Sequence, residues 1–173
     1  GTKTAGGALD IDGDLTVTSG ELAMTSNNAD VASGKTVDID GTLSISSGVF
    51  TANGPTDIAG SITLSTGTYN ADGEFNASGA VIFTDAGNLN LSNTVTSLGA
   101  FTESTSTVTY DGSSAQAVDA DDYYNLIISG GATKTLQGAT NVTNNLTVTA
   151  SSTILDVNTR TLDVNGLSTI SSS

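Results

Sequence analysis

The sequence predicts an all-β fold, a parallel β-helix (β-solenoid), with about 19–22 residues and three short strands in each of roughly eight coils. The chain has 173 residues, with 20 glycines and one proline, and it is rich in Thr, Ser, Asn and Asp. That mixture suits short strands joined by tight turns. Similar segments also recur along the chain, and apolar residues alternate with polar ones inside them. We expect a single β-solenoid domain over residues 1–173.

The repeat is clearest over residues 9–93 and becomes looser over 94–173. Residues 38–45, 57–64 and 76–83 share one pattern and follow one another in steps of 19 residues. Residues 10–17 match residues 38–45 at a step of 28, which is nine residues longer. The longer step predicts a protruding loop or an enlarged coil near 29–37, and a second protruding loop is predicted near 111–122.

Alternation inside each repeat predicts strands with one buried side. Leu43 and Ile45, then Ile62 and Leu64, would point inward, with a polar residue between the members of each pair. A period of two residues is that of a strand. Each strand would pair in parallel with its equivalent one coil away, roughly 4.8 Å along the axis. An antiparallel sandwich is the alternative, but it gives no reason for a pattern that recurs every 19 residues.

Composition excludes several classes of function. The chain has 18 acidic and 4 basic side chains and a net charge of -14, so we expect no nucleic-acid partner. No apolar run approaches the roughly 18 residues that a membrane span needs, and no membrane insertion is expected. The absence of His and Cys excludes a Ser-His-Asp triad, a cysteine nucleophile and an ordinary zinc site. We therefore predict no enzyme, no catalytic residues and no cofactor-binding residues.

Acidic clusters give the only candidates for a metal or a hydrolytic site. Asp10, Asp12 and Asp14 have the spacing of a calcium loop, but Leu15 stands where that loop needs glycine and no flanking helices are expected. They are weak calcium (Ca²⁺) candidates beside the simpler interpretation of an outer corner. Paired carboxylates can hydrolyse glycosides, and Asp121–Asp122 is the obvious pair. Sequence neighbours rarely face one substrate, so a carbohydrate-acting β-helix enzyme is only an alternative.

A second alternative rests on a row of outward hydroxyl residues. A flat threonine array on a solenoid could order surface water, as in an ice-binding protein, although Thr is favoured on any solvated strand. The alternation predicts that the following residues share one face: Thr16, Thr18, Ser44, Ser46, Thr63, Ser65, Thr84, Thr102, Ser104, Thr147 and Thr149.

Most of the chain resembles a known class of repeats, and the resemblance is strongest over residues 99–173. The resemblance rests on three segments: Val-Thr-Tyr-Asp-Gly-Ser-Ser-Ala-Gln-Ala-Val at 108–118, Tyr-Tyr-Asn-Leu-Ile-Ile-Ser-Gly at 123–130 and Leu-Asp-Val-Asn-Gly at 162–166. They resemble the repeats of large secreted bacterial surface proteins, adhesin-like and filamentous-hemagglutinin-like, which are parallel β-helical rods. The resemblance implies an extracellular or cell-surface location in a bacterium. It also implies a structural role without catalysis, with host-cell or matrix glycans as candidate partners.

The two ends of the sequence suggest self-assembly. Neither residues 1–7 nor residues 168–173 have the pattern of a capping helix or a charged plug. Solenoid ends expose unpaired strand edges and usually need polar caps. We expect either a segment excised from a longer protein, since the chain starts at Gly1, or ends that stack head-to-tail on further copies. Such a contact does not close on itself, so it would give a homopolymeric filament.

Overall fold

A computed structural model describes residues 1–171 of the chain. The described residues form 26 β-strands and no helix, and every pair of neighbouring strands is parallel. The predicted β-solenoid with about eight coils and three strands per coil is confirmed. Strands are numbered in chain order, and in each coil the chain visits a first, a second and a third face.

The first face is a six-stranded sheet. Its inward positions carry large apolar side chains such as Leu43 and Ile62, while the outward positions of β7 and β10 carry Thr and Ser. Its strands are β1 (Thr2–Thr4), β4 (Glu21–Met24), β7 (Thr42–Ile45), β10 (Ser61–Leu64), β13 (Ala80–Phe83) and β16 (Ala100–Thr102).

The second face is the longest sheet and has nine strands. It alone continues from the first described coil to the last. Its strands are β2 (Leu9–Ile11), β5 (Ala29–Val31), β8 (Val49–Ala52), β11 (Thr68–Ala71), β14 (Asn88–Leu91), β17 (Thr107–Tyr110), β20 (Asn125–Ile128), β23 (Leu146–Val148) and β26 (Ser168–Ile170). Of the C-terminal segment that we predicted to be uncapped, residues 168–170 form β26, and residues 172–173 lie outside the described part.

The third face is interrupted, and so is the first. The third face consists of β3 (Leu15–Val17), β6 (Val37–Ile39), β9 (Thr56–Ile58), β12 (Phe75–Ala77) and β15 (Val95–Ser97). In the later coils one three-stranded sheet continues the third face, and another continues the first face. One comprises β18 (Gln116–Val118), β21 (Ala132–Leu136) and β24 (Thr153–Asp156); the other comprises β19 (Asp122–Tyr123), β22 (Thr140–Val142) and β25 (Leu162–Val164). We call the two gaps, between β15 and β18 and between β16 and β19, the seam.

The core is a column of stacked equivalents. Along the second face the inward position is taken in turn by Phe50, Tyr69, Leu89, Val108 and Leu126, all buried. The rings of the first two are stacked, with centroids 5.1 Å apart and planes inclined by 9°. Each such side chain contributes roughly 1.5–3 kcal/mol when it is removed from water.

The first repeat was aligned wrongly from sequence. Leu15 pairs with Val37 on the third face, and Asp10 pairs with Asp30 on the second face. The match between residues 10–17 and 38–45 therefore runs across different faces, because Asp-x-Asp-Gly serves two different corners. Strands β5 and β6 occupy both ends of the predicted 29–37 loop and leave a five-residue corner at 32–36. In the 111–122 region, β18 occupies residues 116–118, with corners on either side.

Glycines set how closely the coils approach at the corner before the first face. A Cβ atom on Gly60 would overlap the carbonyl oxygen of Gly41, and one on Gly79 would overlap that of Gly60. By contrast, a Cβ atom on Gly13, which the sequence pattern placed in the same class, would meet nothing within 4 Å. Only the stacked glycines are therefore required for close approach of one backbone to the next.

The variant Gly60→Ala tests this difference. We expect it to lower the free energy of unfolding by about 1–3 kcal/mol, because the added methyl group must push two coils apart. Gly13→Ala is the matched control and should change stability by less than about 0.5 kcal/mol. Urea denaturation followed by circular dichroism measures both, and equal effects of the two variants would contradict the glycine stack.

Candidate functional site

The third face carries a shallow acidic groove. It has a volume of about 370 Å³ and is lined by Thr36, Val37, Asp38, Pro55, Thr56, Asp57, Glu74 and Asn76. Asp38 and Asp57 are neighbours across the sheet. The Asn76 amide donates a hydrogen bond to Asp57 Oδ1 at 3.1 Å and so offsets part of the repulsion between the two carboxylates. The groove is open and acidic, and these contacts give it a structural role within the sheet.

The calcium candidates lie in and beside one corner of the first coil. Asp10 is exposed on β2 next to Asp30. Asp14 Oδ1 accepts a hydrogen bond from the Thr36 backbone N–H at 2.8 Å, and this bond lowers the pKa of the Asp14 carboxyl. Asp12 is exposed between them. Within residues 1–171 no group of three or more acidic side chains is arranged to hold a metal ion. Calcium binding by these residues stays a prediction.

The Asp121–Asp122 pair lies at the seam. Asp122 is exposed at the start of β19, whereas Asp121 is half-buried. Burial, followed by repulsion from Asp119 and Asp122, raises the pKa of Asp121 to about 6. A raised carboxyl pKa occurs in hydrolases and also in purely structural acid clusters. The shift therefore gives the carbohydrate-acting alternative no specific support.

The predicted single threonine/serine face is wrong. The strand residues of that set are divided among three sheets: Thr16 lies on the third face, Ser44, Thr63 and Thr102 on the first, and Thr147 on the second. The error follows from the misaligned first repeat and from treating later Leu-Thr-Val segments as equivalent to earlier ones. The hydroxyl groups thus form no continuous array of the kind the ice-binding alternative required.

Sequence reasoning missed a buried lysine in the core. Lys134 points inward from β21 and is fully buried, with Nζ donating to the carbonyl oxygens of Gly112, Ser114 and Gly131 at 2.6, 2.9 and 2.9 Å. Burial lowers the pKa of Lys134, and the nearby Asp111 carboxylate opposes that shift. The signal was present in the alternation, since Lys134 is in phase with the buried Leu136. The lysine ties two irregular corners, one at residues 112–114 and one at Gly131, to the core.

A closed ring of hydrogen bonds joins two buried tyrosines to a corner. The Asp119 N–H donates to the Tyr110 hydroxyl at 3.1 Å, and the Tyr123 hydroxyl donates to the Asp119 carbonyl at 2.9 Å. The two hydroxyls are 3.1 Å apart, so the Tyr110 proton is left to bond Tyr123. A third buried tyrosine, Tyr69, bonds Thr56 Oγ1 at 2.9 Å. These contacts satisfy polar groups inside a narrow core and leave no reactive group exposed.

The chain matches no family model, no curated protein and no solved structure. Within residues 1–171 no helix has the length and apolar character needed to cross a membrane. The repeat-rich parallel β-solenoid that the resemblance to bacterial surface repeats implies is present in the structure. A relation to adhesin-like surface proteins stays a prediction.

Replacing Lys134 with methionine tests its structural role. We expect Lys134→Met to lower the free energy of unfolding by about 3 kcal/mol, because three buried carbonyl groups lose their donor. Lys35→Met, in a partly exposed corner, is the control and should change stability by less than about 0.5 kcal/mol. Chemical denaturation measures both values. An unchanged midpoint for Lys134→Met would show that the ammonium group is not needed.

The buried tyrosines predict alkaline unfolding. Burial raises the pKa of Tyr69, Tyr110 and Tyr123 above the ordinary value of 10.0. Above pH 10 the unfolded chain therefore loses protons that the folded chain keeps, and stability falls as pH rises. The lowered pKa of Lys134 acts in the opposite sense, but it is one group against three.

Absorbance of tyrosinate near 295 nm and circular dichroism, followed together from about pH 9 to 12.5, check this prediction. Ionisation of three tyrosines should coincide with the loss of β structure. Full ionisation while the β signal is intact would show that these side chains are accessible to solvent in the folded protein.

Proposed function

We propose that this protein is a structural, non-catalytic extracellular rod of a bacterial cell surface, a filament subunit or adhesin stalk that stacks head-to-tail. The observation that carries the proposal is the nine-stranded parallel sheet, which continues through all the described coils. Eight coil steps of about 4.8 Å give a length of roughly 38 Å. A rod of stacked coils can hold whatever lies at its two ends at a set distance from each other.

Ordered side chains support the rod on its outer surface. On the second face, the Asn90 amide donates to Asn70 Oδ1 at 2.9 Å, and Asn70 donates to Thr51 Oγ1 at 3.4 Å. Asn144 repeats the contact on Asn125 at 2.9 Å. These ladders add links between coils at little further entropy cost, since each strand is already held in place. Their uncharged amide and hydroxyl groups also suit hydrogen bonding to host-cell or matrix glycans.

Both end coils present the core column to solvent. At one end the exposed fractions of Ile170 and Val157 are 78% and 42%. At the other end Leu9, Leu15 and Val17 are only partly buried. A second copy placed head-to-tail would continue each sheet in parallel and cover these apolar residues, as each coil does within the chain. The partner that we propose for both ends is therefore a second copy of this chain.

Electron microscopy of the purified protein in negative stain, over a concentration series with and without calcium, tests the assembly. We expect uniform filaments that lengthen with concentration. Val17→Glu would place a charge in the stacking column and should shorten the filaments, with an effective affinity at least about tenfold weaker. Thr16→Glu, on the outward side of the same strand, is the matched control and should still give filaments.

Circular dichroism of both variants separates assembly from folding. Single short rods at every concentration of the unaltered protein would refute head-to-tail stacking and leave the stalk role. Equal filament lengths for the Val17 and Thr16 variants would show that contacts other than the core column join the copies. A calcium requirement that disappears with Asp12→Asn would assign the ion to the first-coil corner.

A further inference from the structure

The seam is the one level at which two of the three sheets stop together. No strand ladder joins β15 to β18 or β16 to β19 among the described residues, whereas β14, β17 and β20 pair without a break. Coils below and above the seam are joined on all three faces. The number of backbone hydrogen bonds between coils is therefore lowest here, and local opening costs least where such bonds are fewest.

Individual side chains replace the missing ladders. On the third face, Asp119 Oδ2 accepts a hydrogen bond from the Leu98 N–H at 2.6 Å, and the Gln116 amide donates to the carbonyls of Leu91 and Asn93 at 2.9 and 2.5 Å. On the first face, the rings of Phe101 and Tyr123 pack with centroids 5.5 Å apart. The seam is thus held by one backbone sheet and a few specific side-chain contacts.

The chain leading into the seam is also strained. Ser104 follows β16 with a φ of 46°, in the left-handed region that residues other than glycine rarely adopt. Ser106 is 1% exposed, and its Oγ is a buried side-chain atom without a hydrogen-bond partner in the described residues. Both features lower the stability of this coil.

Three carboxyl groups lie together at the seam, two in the corner between β18 and β19 and one at the start of β19. Asp121 is half-buried, and it is faced by Asp119 and Asp122 from its own corner and strand, by Tyr110 from β17 and by Tyr123 from β19. The pKa of Asp121 is raised to about 6, whereas its ordinary value is 3.8. Between pH 3.8 and about 6, Asp121 therefore keeps its proton in the folded seam and releases it when the seam opens. Stability from this group is present below pH 4 and is lost as pH rises through about 6.

We propose that the seam is a pH-sensitive joint in the rod, which opens locally before the coils on either side and opens more readily at neutral than at mildly acidic pH. Opening leaves the two blocks connected through the second face, so the rod gains a flexible point without coming apart. This inference does not depend on assembly or on the cellular location of the protein.

Hydrogen exchange of the full chain, measured by mass spectrometry and expressed as protection factors, tests the joint. At about pH 7.5 we expect amides of β16, β18 and β19 to be less protected than those of β10 and β13. Between about pH 4.5 and pH 7.5 the protection of the seam should fall by about tenfold relative to the other coils. Asp121→Asn should remove that dependence and leave protection high at neutral pH.

Asp85→Asn is the matched control, since it removes one negative charge from an exposed corner away from the seam. It should leave the pH dependence of the seam unchanged. Equal protection across the seam and the neighbouring coils would overturn the joint itself. A pH dependence that persists in Asp121→Asn would overturn the assignment of the switch to this carboxyl group.

Discussion

Each coil of this protein is positioned by the coil beneath it, because every strand finds its hydrogen-bond partners about one coil away. Equivalent residues are consequently stacked at a spacing of roughly 4.8 Å, and a side chain is tolerated only if it suits its own copy above and below. Apolar residues stack on apolar ones in the core, and amides stack on amides outside. The same constraint requires glycine at positions 41, 60 and 79, where a Cβ atom would overlap the backbone of the preceding coil.

That arrangement explains how a chain with 36% apolar residues can fold without helices, disulfides or a thick core. Each coil buries only a few inward side chains, and the ladders satisfy the backbone polar groups. Negative charges are mostly placed at corners and outward positions, where water screens them. The exceptions are informative. Lys134 and the Tyr110–Tyr123 pair bring polar groups into the core where the coil path is irregular, and each is fully hydrogen-bonded to nearby backbone or hydroxyl groups.

The seam shows what happens when the repeat constraint is relaxed. Coils of a regular repeat protect one another, so their stability is shared between neighbours. Where two sheets stop, only the second face and a few side-chain contacts link one coil to the next. Three destabilising groups are found there: the strained Ser104, the Ser106 hydroxyl without a partner in the described residues and the partly buried Asp121 carboxyl. Their concentration at one level divides a uniform rod into two blocks.

The sequence by itself determined the architecture. Steps of 19 residues and the alternation of Leu43, Ser44 and Ile45 are local properties, and only a parallel solenoid stacks such repeats in register. It did not determine which corner an Asp-x-Asp-Gly segment occupies, so the first coil was shifted by one face and the hydroxyl array was misassigned. Only the tertiary structure decided that Leu15 lies on Val37, that Lys134 is buried against three carbonyls and that two sheets break at Asp119. Nearly all of these contacts join residues 20 or more apart. Whether a polar side chain is buried there depends on its neighbours in adjacent coils and not on its own segment.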